Sequence, residues 1–280
     1  MEDIDWFSLW NNSMDKVFSN FNVKHDSSLS GLDASRDYDR AVSSDDWAIG
    51  RMMLDMMEYD EGSSILDIGC GPGTLTVPLS SEVKSITAID PSKKMLSLLK
   101  GNLSKENAGK VTTINKAWNQ VDVERDLGIR HDVVVSSFSI MENDLRAALS
   151  KFHSASDNLV YIFWNNRDND LDRELSLLWE DITGKEHVDV PKSDIIYNAL
   201  LDLDIYPNIK NFRMQYSFIY DSFKDLVNSF KVMYGCVPTD SVTDKQLIDF
   251  LDGWHRHEDE KHYIDFMLYT SMIWWDVHEV

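Results

Sequence analysis

Between residues 63 and 165 the chain alternates short, largely apolar runs with amphipathic stretches. Ile65–Ile68, Val83–Ile89, Val111–Ile114, Val133–Val135 and Leu159–Phe163 are of strand length. A strand covered on both faces loses the in–out alternation of a half-exposed one, so such runs predict central strands of a parallel sheet. The segments between them have helical spacing. LTVPLS after the first run is helix-compatible, with Pro78 limiting its length, and Pro91–Leu99 carries Met95, Leu96, Leu98 and Leu99 on one side. Proline suits a helix start, where its missing N–H would be unpaired anyway. Asn143–Asp144 is predicted to open a helix running through Phe152. Strands alternating with helices imply a doubly wound, mostly parallel sheet. Right-handed crossovers then bring every strand-end loop to one edge.

After residue 165 the pattern changes. Leu171–Ile182, Ile195–Leu203, Phe223–Met233 and Lys245–Trp254 have helical spacing. NFRMQYSFIY (Asn211–Tyr220) alternates like a strand, with Phe212, Met214, Tyr216 and Phe218 on one face, and Ile264–Trp275 is expected to be a last strand. At the other end, Ser27–Ser44 reads as a polar loop.

Chemistry concentrates in Ile65–Thr74, ILDIGCGPGT. An apolar run ends in Asp67, and Gly69, Gly71 and Gly73 follow at alternate positions with Cys70 among them. Glycines are needed where the backbone takes positive φ or a ligand presses against it. The second run ends in Asp90, where a carboxylate at a strand tip can grip a ribose diol. These features point to a nucleoside cofactor at the carboxyl edge of the sheet. The dinucleotide fingerprint is GxGxxG facing a pyrophosphate. Here the spacing is GxGxG, the sixth position is Thr74 and the loop lacks Lys and Arg. A cofactor without phosphates fits better.

The stretch from about Ser63 to Asn165 resembles the class I S-adenosylmethionine-dependent methyltransferases, whose first motif has this glycine pattern and whose second strand ends in an acidic residue. The resemblance implies a Rossmann-like α/β fold: a doubly wound, mostly parallel seven-stranded sheet with the seventh strand inserted antiparallel. It implies S-adenosyl-L-methionine as cofactor, S-adenosyl-L-homocysteine as product, and cofactor contacts from Asp67, Gly69, Cys70, Gly71, Gly73, Asp90 and Pro91, with Asp67 alternatively holding the loop backbone and Asp90 alternatively capping the following helix. Ala117 and Trp118 stand where the family recognises adenine, often with an acidic residue on the exocyclic amine, so Ala117 is a departure. Trp118 either shields the adenine face or belongs to the core. Ser136, Ser137 and Phe138 end the fourth strand, where cofactor and acceptor meet, although the hydroxyls would equally satisfy loop backbone. Tyr38, in Ser35–Asp39, matches a tyrosine that often closes over the cofactor. The implied organisation is an N-terminal helical lid (1–60), the cofactor-binding core (61–165) and a C-terminal part (166–280) whose insertion, about 221–263, caps the substrate.

Charge refines the choice of acceptor. The chain carries 48 acids and 27 bases, net −21. Residues 61–165 are net −1, against −8 for 1–60 and −12 for 166–280. Nucleic-acid affinity rests on phosphate neutralisation, so nucleic-acid substrates are disfavoured and a neutral or cationic small molecule, or a protein side chain, is favoured. Acid on exposed helices also simply confers solubility. No run of 18 apolar residues predicts a membrane span. Two cysteines, Cys70 and Cys236, and an acidic N-terminus suggest a reducing, cytoplasmic location.

Methyl transfer asks for positioning, exclusion of water and sometimes a base. No catalytic base is identifiable; the N-terminal segment, the Trp164–Asn166 loop and the insertion are the places to look. His255–His262 (HRHEDEKH) lacks the spacing of a zinc site and reads as a solvated helix face. His131 and His153 are expected at the amino ends of strands, and Arg51 either pairs a methionine carboxylate or a surface acid. Two other classes stay open: a non-catalytic relative serving as an interaction module, and a nicotinamide-dependent oxidoreductase, which the glycine spacing disfavours.

Overall fold

The computed structural model describes residues 4–21, 32–184, 186–233 and 241–279. Three N-terminal helices, α1 (Trp6–Phe21), α2 (Leu32–Ser43) and α3 (Ala48–Leu54), precede an alternating core. The core runs β1 (Ser64–Ile68), α4 (Thr76–Leu79), β2 (Ser85–Ile89), α5 (Lys93–Asn102), β3 (Val111–Ile114), β4 (His131–Ser137), α6 (Leu145–Ala155) and β5 (Ser156–Asn165). It continues through α7 (Asp170–Thr183), α8 (Ser193–Leu201), β6 (Asn208–Tyr220), α9 (Phe223–Met233), α10 (Ser241–Trp254), β7 (His255–Glu258) and β8 (Lys261–Asp276).

The sheet order is β3-β2-β1-β4-β5-β8-β6, with β7 paired to β8 beside this path. The first five strands are mutually parallel, and β8 lies antiparallel between β5 and β6. The expected seven-stranded path is therefore present, and the short β7 is an eighth strand the sequence pattern did not announce.

Period-two geometry explains the apolar runs. Ile65, Val133, Val135, Tyr161 and Phe163 face one layer, which includes side chains of α2, α3, α7, α9 and α10. Their neighbours Leu66, Ile68, Val134, Val160, Ile162 and Trp164 face the other, with α1, α6 and α8. Both faces are covered, so both register positions are mainly apolar, and the polar residues buried there, Asp67 and Ser136, are hydrogen-bonded. Burying each large apolar side chain contributes roughly 1.5–3 kcal/mol. β6 is an edge strand covered on one face: Met214, Tyr216, Phe218 and Tyr220 are buried, while Arg213 and Gln215 are exposed. That one-sided burial produces its alternation.

Several expectations are corrected. Leu32–Ser43, within the stretch read as loop, is α2, while the preceding residues 22–31 lie outside those described. The helix after the glycine loop is one turn long, with Pro78 inside it. Pro91 precedes α5 by two residues, and Ser92 is its N-cap, accepting from Met95 N–H. His153 lies in α6 and accepts from Trp275 Nε1 at 3.2 Å, rather than starting a strand. His255–His262 is a β-hairpin, not a helix: β7 turns through Asp259 and Glu260, both at positive φ, into β8. His257 stands opposite His262, their rings stacked at 4.6 Å, because cross-strand partners come closer than helical neighbours. Cys236 lies outside the described residues.

Candidate functional site

A cavity of about 280 Å³ opens at the carboxyl ends of β1, β2 and β4. Parallel strands deliver their following loops to this edge, and the order reverses between β1 and β4, which is where ligands bind open α/β sheets. Of the thirteen residues singled out by sequence, the structure brings eleven to the cavity wall: Tyr38, Asp67, Gly69, Cys70, Gly71, Asp90, Pro91, Ala117, Trp118, Ser137 and Phe138.

The glycine loop folds back on β2. Ile89 O accepts from both Gly69 N–H (2.8 Å) and Cys70 N–H (3.0 Å). All three glycines have positive φ, yet their surroundings differ. A Cβ at Gly69 would lie 2.1 Å from Ser139 Cβ, and one at Gly73 would lie 2.5 Å from Val77 Cγ2 and 2.7 Å from Leu99 Cδ1. At Gly71 the nearest atom is Tyr38 Cε1, 3.7 Å away. Gly71 alone of the three would hold a Cβ without a clash, so it is the glycine against which a ligand can press. Gly73 does not line the cavity, a correction; it lets α4 and α5 approach.

Asp90 and Asp67 bring two carboxyl groups to the wall. Asp90 Oδ2 accepts from Gly71 N–H (3.0 Å) and Oδ1 from Ser92 N–H (2.7 Å), so it braces the loop and the start of α5 together. Burial pushes its carboxyl above the ordinary value, against these two bonds. Asp67 is 2% exposed, and Thr76 Oγ1 donates to its Oδ2 at 2.6 Å. Burial, with the Asp90 charge adding, raises it to about 7. Burial likewise pushes the Cys70 thiol up, leaving it an inert wall group.

At the tip of β4, Phe138 adopts φ 52°, with its N–H donating to Phe163 O at 2.9 Å. Strained φ in a bulky residue is characteristic of ligand-clamping positions. Ser137 lines the wall, whereas Ser136 does not: it is 1% exposed and its hydroxyl meets Ser139 Oγ at 2.7 Å. Ser136 thus serves loop backbone through Ser139, which donates to Ile68 O at 2.5 Å. Trp118 is both wall and core, packing on Phe152 at 5.4 Å. Arg51 pairs with Asp46 at 3.2 Å on the surface, away from the cavity.

Phe18, Lys116, Met141 and Glu142 also line the cavity but were not singled out. Their loops and helix reach it only through the tertiary fold, and no motif marks them. The Trp164–Asn166 loop does not reach it; Asn165 instead borders a separate cavity of about 110 Å³ with Arg167, Asp168, Trp179 and His187. Among the described residues there is no cluster of three metal-ligating side chains, and no helix is long and apolar enough to cross a membrane.

A glycine loop without Lys or Arg, an acidic strand tip and a cavity at the switch point thus lie together at one edge of the sheet. Residues 65–157 match the family model described as a methyltransferase domain. That matched stretch holds the glycine loop, Asp90, and the tips of β3 and β4 that wall the cavity. An uncharacterized protein of Haemophilus influenzae is 25% identical over 237 residues, 83% of either chain. In fold, the chain is similar to the YcgJ protein of Bacillus subtilis (TM-score 0.55, 15% identity, 81% of this chain and 97% of that one). It is also similar to a Bacillus halodurans protein (TM-score 0.50, 14% identity, 83% and 99%).

Proposed function

We propose that the protein transfers a methyl group from S-adenosylmethionine to a neutral or cationic small molecule. The observation that carries the cofactor assignment is the juxtaposition of Asp90 with Gly71, the wall glycine at which a Cβ would meet no clash. Asp90 would hold the ribose hydroxyls, Gly71 would admit the cofactor against the backbone, and Asp67 would face its ammonium end. Ser137 and Phe138 would border the acceptor side, and Trp118 the base. When bound, the cofactor supplies an electrophilic methyl group on a sulfonium.

The chain's part is to orient and enclose. α1 and α2 contribute Phe18 and Tyr38 to the cavity wall, which supports reading residues 1–60 as a lid. Excluding water and holding the acceptor atom within about 3–3.5 Å in line are the main demands of such a displacement. Residues 166–280, with the helical insertion, would shape the acceptor pocket. Their net charge of −12 supports a neutral or cationic acceptor and disfavours a polyanion.

Isothermal titration with S-adenosylmethionine, S-adenosylhomocysteine and NAD tests this assignment. Micromolar binding of the two adenosyl ligands and none of NAD is expected, with loss of affinity in Gly71→Arg and an unchanged circular dichroism spectrum. NAD binding alone would return the oxidoreductase reading. Silence from all three would favour an interaction module.

A further inference from the structure

The turn that directly follows β3 (Asn115–Val121), Ala117 included, carries no acidic side chain, yet a carboxylate reaches that end of the cavity from another element. Glu142, between β4 and α6, lines the same wall as Ala117 and Trp118. Two contacts from separate parts of the chain hold it. Trp10 Nε1, on α1, donates to Glu142 O at 2.8 Å, and Asn119 N–H, just beyond Trp118, donates to Glu142 Oε1 at 2.7 Å.

The second oxygen, Oε2, takes no hydrogen bond among the described residues. Lys151 is the nearby cation, but its ammonium donates to Trp118 O at 2.6 Å and Val121 O at 3.0 Å. A half-buried carboxylate on the cavity wall, with one oxygen held by a backbone N–H, is set to accept a charge-assisted hydrogen bond through the other.

We propose that Glu142 Oε2 accepts a hydrogen bond from the exocyclic amine of the cofactor's adenine, so that a residue of the β4–α6 loop reads the base in place of the missing acid at Ala117. This rests on the S-adenosylmethionine assignment above. The Asn119 contact orients the carboxylate, and the Trp10 contact ties its backbone to the N-terminal helix. Adenine selectivity thereby depends on α1, an element outside the methyltransferase domain match.

The test compares S-adenosylhomocysteine with its analogue lacking the 6-amino group, titrated into the full chain and into Glu142→Gln. The wild type should prefer the amino ligand by at least about tenfold, because a site built to accept a hydrogen bond discriminates against a ligand lacking the donor. In Glu142→Gln the amide can keep its oxygen on Asn119 N–H and turn its NH2 toward the base. Affinity for S-adenosylhomocysteine should then fall while that for the des-amino analogue holds, shrinking the preference to within about threefold. Equal affinities in the wild type, or an unchanged preference in the variant, would overturn the proposal. Binding of neither ligand by the wild type would instead remove the cofactor assignment and this inference with it. Should Glu142→Gln fail to fold, Glu142→Asp withdraws the carboxylate by one methylene and is judged by the same ratio.

Discussion

Asp67 shows how a single buried group links site chemistry to stability. In the folded chain its carboxyl holds a proton up to about pH 7, against about 3.9 in an unfolded chain. Between those values folding takes up a proton, so stability falls as pH rises through the window and stays at its lower level above it. The full effect is on the order of a few kcal/mol. Asp67→Asn should therefore flatten the stability-versus-pH curve between about pH 4 and 7, as read by urea denaturation across that range. The same substitution should weaken S-adenosylmethionine, a cation, more at pH 8 than at pH 6, because only the ionised carboxylate attracts it. The two outer glycines make a complementary pair. Gly73→Ala sets a methyl group against Val77 and Leu99 and should cost roughly 1–3 kcal/mol of stability. Gly71→Ala has room for its methyl group but also carries the strain of a positive φ. It should therefore cost stability through the backbone alone and lower ligand affinity as well, separable by comparing denaturation with titration.

Elements here are stabilised by short, readable devices. Asp144 caps α6, its Oδ1 accepting from Ala147 N–H at 2.9 Å, and α6 buries Leu145, Leu149 and Phe152 beneath the sheet. Asp144→Ala should lower stability by about 1 kcal/mol, visible as a shift of the denaturation midpoint with an unchanged slope. That cap was legible in the sequence, as were the five parallel strands, because apolar runs and turn residues are local signals. The hairpin at His255–His262 was not. Its polar, charged string fits a helix face as well as a strand, and only pairing with the long β8 decides between them. Glu142 was illegible for a related reason. It enters the cavity because Asn119 and Trp10, 23 and 132 positions away, converge on it, and no local pattern encodes that meeting. Ser136 and Ser137 show the limit at its finest. Adjacent serines at a strand tip point to opposite sides, and the one inside meets Ser139 rather than the cavity.

For the molecule as a whole, ligand binding and charge set the measurable response. A cofactor present at about 100 times its Kd adds roughly 2.7 kcal/mol to stability. Each kcal/mol raises Tm by roughly 2–4 °C for a chain of about this size. S-adenosylhomocysteine should produce this shift in the wild type and not in Gly71→Arg, by scanning fluorimetry. The net charge of −21 is concentrated outside the near-neutral core. The placement of β8 bears on how the protein is made as well as on what it does. Among the described residues β6 pairs with β8 alone, and roughly forty residues separate Tyr220 from Lys261. At about 5–20 residues per second, a translating ribosome leaves β6 without its partner for roughly 2–8 s. During that interval Phe212, Tyr216, Phe218 and Tyr220 have no β8 strand beside them, the kind of unpaired apolar edge that is prone to aggregate before its partner arrives.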